Sequence, residues 1–192
     1  MKWIFSLGLS LLALSAWAQE PAAQNENARL NVVLAAPTKS PWDRAQMSAL
    51  IERTNKILSQ CQIEIHVVKI QEGLPEDMSV DRRWISYANA ATRGMKVPMI
   101  FLVNHSERKT GAGLTPNSKF ILLSAESLTP AYKKARPKGY ESLAHELGHL
   151  LGLEGHTSKE DGKNLMAASK TLLNTELTRD QCRKMKASSY LL

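Results

Sequence analysis

Hydrophobic and polar positions follow two periods along the chain. Asn31-Val32-Val33-Leu34-Ala35 is an apolar run of strand length. Ser40-Pro41-Trp42-Asp43 marks a helix start, with Ser40 as the cap, Pro41 at the first helical position and Asp43 completing a capping box. Met47, Leu50, Ile51, Thr54, Ile57 and Leu58 then recur at helical spacing and form one core-facing stripe. Ile63, Ile65 and Val67 alternate with Glu64 and His66, which is strand periodicity. Gly73 to Asp77 read as a loop, and Ser79 as the cap of a second helix through Trp84, Ala88 and Ala91, ending near Gly94. Val97 to Val103 is an apolar strand with Pro98 at its entrance. Gly111 to Thr115 suits a short edge strand, and Phe120 to Leu123 a further strand. The order is strand, helix, strand, helix and three strands before a last apolar-faced helix. It predicts an α+β domain with a mixed five-stranded sheet covered by helices.

The ends of this pattern carry their own message. Lys2, the apolar run Trp3 to Ala16 and the small-x-small Ala16-Trp17-Ala18 have the form of a cleavable export signal over residues 1–18. The run is shorter than the roughly 20 apolar residues that span a bilayer. Residues 19–29 are a polar lead-in, and 30–192 make one domain, with 30–151 holding the sheet and the last-named helix and 152–192 a small C-terminal subdomain. The expectation is an exported protein, periplasmic or extracellular, without a membrane span. No cysteine follows the cleavage site, so a lipid anchor is not expected. In an oxidising compartment the pair Cys61 and Cys182 is expected to form a disulfide.

Composition narrows the class further. The 192 residues are 43% hydrophobic and 22% charged, which excludes wholesale disorder, and the net charge is +7. Nothing resembles a nucleic-acid module, so the basic balance alone does not imply that partner. The basic run Lys133-Lys134-Ala135-Arg136-Pro137-Lys138 reads as a solvated loop. His66 and His105 read as surface or internally satisfied groups.

The chemistry is concentrated in His145-Glu146-Leu147-Gly148-His149. Two histidines four apart share one helix face, so both imidazoles reach one ion. Zinc accepts three protein ligands and keeps a fourth position for water. Glu146, one residue offset, is left to take a proton from that water. Leu143, Leu147, Leu150 and Leu151 supply the apolar side of the helix, and Gly152 permits the left-handed turn that ends it.

The run His145 to His156, with Gly152 between and Asn164-Leu165-Met166 after it, resembles the metzincin zinc endopeptidases. The resemblance implies the metzincin-like zincin fold, Zn²⁺ held by His145, His149 and His156, catalysis by Glu146, a methionine turn at Met166 beneath the metal, and a protein or peptide substrate. It also implies that Gly111–Thr115 pairs with extended substrate. One departure stands out: the usual position of the third ligand is 155, a glycine here, and His156 comes one residue later. Gly155 is expected to absorb the extra residue through unusual backbone angles. Glu154, Glu160, Asp161 and Glu176 are the fallback oxygen ligands, and Tyr140 or Tyr190 a candidate hydrogen-bond donor to the transition state. The alternative is a zinc-stabilised protein-binding module that does not turn over substrate. A monomer is expected, and neither cysteine sits in an inhibitory peptide.

Overall fold

The computed structural model describes residues 27–105, 113–117, 119–125, 139–157, 162–167 and 174–192. The leader-like segment 1–18 and the basic run at 133–138 lie outside them. Five strands, β1 (Ala28–Pro37), β2 (Ile63–Leu74), β3 (Met99–Val103), β4 (Gly113–Asn117) and β5 (Phe120–Ser124), form one sheet in the order β2-β1-β3-β5-β4. β1 runs parallel to β2 and β3, and β3 to β5, while β4 is antiparallel at the edge. The mixed five-stranded sheet expected from the pattern is therefore present. β1 begins two residues inside the polar lead-in, and β2 continues through Gly73 and Leu74, which had read as loop.

Strand alternation divides the apolar residues between two faces. Leu30, Val32, Leu34, Ile63, Ile65, Ile100, Leu102, Ile121 and Leu123 point to one side. There they meet α1 (Arg44–Leu58), α3 (Gly139–Leu150) and Met185 of α4 (Arg179–Lys186). Val33, Ala35, Phe101, Val103, Phe120 and Leu122 point to the other, under Met78, Val80 and Ala88 of α2 (Ile85–Ala91). The sheet is thus buried on both faces, which explains why its central strands read as continuous apolar runs rather than alternating ones.

The start of α1 differs from the expected one. The cap is Asp43: its Oδ1 accepts from Gln46 N at 2.7 Å, and Gln46 Oε1 accepts from Asp43 N at 3.1 Å. Ser40 Oγ instead accepts from Trp42 N at 3.1 Å in a turn ahead of the helix. Trp42 is held there because its indole N–H donates to Val103 O at 3.0 Å. At the second helix, Ser79 does not cap. Its hydroxyl donates to Asp81 Oδ2, and Asp81 Oδ1 accepts from Arg83 N to open a 3-10 turn at Arg82–Trp84 that leads into α2.

Two devices close the outer parts of the sheet. On the β2 edge, the Asn55 side chain of α1 accepts from Ile65 N at 2.7 Å and donates to Ile65 O at 3.3 Å, occupying backbone groups that an unpaired edge would expose. Beside β1, Leu191 forms an antiparallel bridge with Leu30, and Arg29 and Leu192 exchange backbone hydrogen bonds at 3.1 and 3.0 Å. Nothing in the hydrophobic pattern marked these residues as sheet.

Cys61 and Cys182 form the expected disulfide, joining the end of α1 to α4 across a separation of 121 residues. No helix among the described residues is long and apolar enough to cross a membrane. Reduction of the bridge, or Cys182→Ser, is expected to cost on the order of 2–5 kcal/mol of stability. A shifted denaturant midpoint at unchanged native spectrum checks this, and an unmoved midpoint contradicts it.

Candidate metal centre

α3 is amphipathic in a way that separates folding from chemistry. Leu143, Ala144, Leu147, Leu150 and Leu151 are buried in the core. His145 and His149 lie one turn apart away from that apolar side, half-buried. Gly152 then takes φ +99° and turns the chain, as expected, and Gly155 takes φ +67°. That second left-handed residue brings His156, and not position 155, back over the helix. The displaced spacing is accommodated by the residue type best suited to it.

The three imidazoles converge. His145 Nε2 lies 3.1 Å from His156 Nε2 and 3.2 Å from His149 Nε2. The rings of His145 and His156 are stacked at 5.0 Å between centroids, and His149 stands edge-on to both. Two of the rings have their other nitrogen committed: His145 Nδ1–H donates to Leu165 O and His149 Nδ1–H to Leu153 O, each at 2.8 Å. These bonds select the tautomer in which Nε2 carries a lone pair toward the common centre. Burial pulls His145 down to about 4, with His149 and His156 adding to the effect and the Leu165 carbonyl opposing it. His156 is also lowered, by desolvation and then by His149. His145 and His156 are therefore neutral at neutral pH.

Neutral rings with facing lone pairs repel at such distances, and a bridging proton would create the cation that burial disfavours. A tetrahedral zinc with Zn–N of about 2.0–2.1 Å sets its nitrogens roughly 3.3 Å apart, close to the spacing present. The donor set fits zinc. Among the described residues this is the one group of three or more histidine, cysteine or acidic side chains close enough to share an ion.

The described fallback ligands, Glu154 and Glu176, do not approach it. Glu154 is exposed and outside the cluster, and Glu176 pairs with Lys163 at 3.9 Å on the surface. Glu160 and Asp161 lie outside the described residues. Met166 is 1% exposed, in the core beneath α3. A Cβ at Gly148 would come within 2.7 Å of its Sδ, so the methionine presses on the helix between the two histidines. Tyr190 packs against the core and lines a cavity with Leu150, Leu151 and Gly152. The side chain of Tyr140 lies outside the described residues. His66 is exposed on β2, and the backbone of His105 bridges Ser79; neither joins the cluster.

Glu146 is 9% exposed and faces β4. Thr115 Oγ1 lies 2.5 Å from Glu146 Oε2 and 3.2 Å from Glu146 O. A Cβ at Gly113 would stand 2.7 Å from Glu146 Cγ, so the strand can pass this close only as glycine. The edge-strand reading of 111–115 thus falls on the strand beside the carboxylate, at 113–117. Thr115 as a partner of Glu146 was not legible. The two are 31 residues apart, and a threonine in a strand is ordinary β-branched filling.

A parallel-rich sheet, a helix bearing two histidines and a third histidine after a glycine turn define a metzincin-type zinc metallopeptidase. The model of metallo-peptidase family M12B, reprolysin-like, matches residues 44–157, and the chain belongs to that family. Its fold is similar to that of archaemetzincin from Methanopyrus kandleri, at 21% identity over 82% of this chain and 94% of that one, with a TM-score of 0.57. It is also similar to metalloproteinase-II from Bacteroides fragilis, at 17% identity over 86% of this chain and 54% of that one, with a TM-score of 0.59. No curated protein matches the chain.

Thr115→Val keeps the strand residue's shape and removes the hydroxyl from Glu146. It is expected to lower kcat on a peptide on the order of tenfold, with zinc content unchanged. Steady-state kinetics beside metal analysis checks this, and an unchanged kcat contradicts it.

Proposed function

We propose that this chain is an exported endopeptidase in which His145, His149 and His156 hold zinc and Glu146 is the general base for peptide-bond hydrolysis. The observation that carries the reading is the convergence of three Nε2 atoms at a helix that also carries the nearly buried Glu146 carboxylate. Zinc, when bound, polarises a carbonyl and acidifies water. The chain's own groups do the rest. Glu146 accepts the proton of the attacking water at its carboxylate and delivers it to the leaving amine nitrogen as the C–N bond breaks. Thr115 holds Oε2 and so limits the orientations of that carboxylate. The Leu165 and Leu153 carbonyls keep the His145 and His149 rings turned inward.

β4 supplies the path for substrate. It pairs with β5 on one side, and the structure describes no strand on its other. An extended peptide added there gains main-chain hydrogen bonds, with side-chain pockets left to set selectivity. Its scissile bond would then pass close to Glu146, which β4 touches at Gly113 and Thr115. Export rests on the leader-like residues 1–18, and a disulfide such as Cys61–Cys182 accords with an oxidising compartment. Met166 acts as the apolar support of the centre and not as a ligand. A site serving structure alone has no use for a carboxylate held in place by a hydroxyl, which weighs against a binding module without turnover.

Glu146→Ala is expected to retain stoichiometric zinc while cleavage of a denatured protein falls by roughly 10²–10⁴-fold. Cleavage that survives in this variant, or in wild-type protein stripped by a chelator, contradicts the mechanism. His156→Ala is expected to weaken zinc at least about tenfold, measured by competition with a chromophoric chelator. Equal affinity would remove His156 from the ligand set.

A further inference from the structure

The turn at 164–167 bonds His145 and touches the chain neighbours of His149 and His156. Leu165 O receives the His145 Nδ1–H at 2.8 Å. Met166 O accepts from Thr157 N at 2.9 Å, one residue after His156. Met166 Sδ occupies the space next to Gly148, the neighbour of His149. Whatever holds this turn therefore sets the aim of the metal ligands together.

Beside the backbone bond from Leu165 N to Glu176 O at 2.7 Å, Asn164 holds it. The residue is 3% exposed, its Oδ1 accepts from Met166 N at 2.9 Å, and its backbone O accepts from Ala167 N at 3.0 Å. Its amide meets that of Gln181 in a reciprocal pair: Asn164 Nδ2 donates to Gln181 Oε1 at 2.9 Å, and Gln181 Nε2 donates to Asn164 Oδ1 at 3.0 Å. Gln181 sits in the first turn of α4, where its Oε1 also accepts from Thr178 N at 2.8 Å, and the next residue, Cys182, carries the disulfide to Cys61. Asn164, Thr178, Gln181 and Cys182 all lie beyond the residues 44–157 that match the family model.

We propose that Gln181 is a positioning residue of the metal centre, acting through Asn164 on the turn that orients His145 and the His156 loop. This rests on the zinc-site reading given above. The residue type supports it. A capping box is served equally by glutamate or glutamine at this position. Only glutamine offers the N–H that Asn164 Oδ1 receives while that same oxygen holds Met166 N. A buried amide with one such bond removed is left to re-pair or rotate, and the turn moves with it.

The discriminating variant is Gln181→Glu. It keeps the bond to Thr178 N and the acceptor for Asn164 Nδ2, and replaces the donated bond by a carboxylate oxygen facing Asn164 Oδ1. Thr178→Ala is the control, because it weakens the helix start without touching the amide pair. Zinc dissociation constants are measured by chelator competition, with the visible spectrum of the cobalt-substituted protein as a second readout. Gln181→Glu is expected to weaken zinc about 10–100-fold, the range for groups that orient metal ligands, and to alter the cobalt bands. Thr178→Ala is expected to leave both within about twofold while lowering metal-free stability. Gln181→Met, which loses both bonds, is expected to be at least as weak as Gln181→Glu and serves if that variant does not fold. Wild-type affinity in Gln181→Glu or, where it does not fold, in Gln181→Met, or equal losses in Thr178→Ala, overturns the inference while the peptidase reading stands. A wild-type chain that takes up no zinc overturns both.

Discussion

Three imidazole nitrogens that converge, with His145 Nε2 within 3.2 Å of the other two, repel through facing lone pairs unless a cation lies between them, and their arrangement must be enforced from outside. The enforcement comes mainly from backbone carbonyls. Leu165 and Leu153 each take an Nδ1–H, and both lie on segments that follow the helix carrying the rings in sequence. Metal affinity in this protein is therefore a property of the turn at 164–167 and of the stretch leaving Gly152 as much as of the histidines themselves.

The division of α3 into an apolar side and a chemical side ties this constraint to the sheet. Burial of Leu143, Leu147 and Leu150 against β1, β3 and β5 sets the rotation of the helix, and that rotation brings Glu146 to β4. The same strand, at the edge of the described sheet, also carries the hydroxyl that bonds the Glu146 carboxylate. Core packing and active-site geometry are thus one requirement expressed on two faces of a helix.

What was legible depended on range. The His145–His149 pair, the turn at Gly152 and the adaptation of Gly155 to a late His156 are events within a dozen residues, and local periodicity and glycine chemistry expose them. The strands of the buried sheet announced themselves by apolar runs, although β2 continued past its alternating stretch because β1 pairs with it as far as Leu74. The cap of α1 was misplaced because Ser40 and Asp43 both suit that role. The decision was made by Trp42, bonded to Val103 sixty-one residues away. Thr115 on Glu146 and Gln181 on Asn164 are ordinary residues given meaning by neighbours distant in sequence, and no pattern in one chain reveals such pairs.

The backbone pairing of Leu30 with Leu191 has a kinetic side. β1 is the second strand of the sheet and contacts both its neighbours in parallel, so it cannot be completed by local hairpins. Its opening residues instead wait for a segment about 160 residues further along the chain. Contacts of such long separation slow folding. In the meantime the newly made chain holds an apolar strand with one side unsatisfied, the kind of surface that holdase chaperones bind and that aggregation exploits.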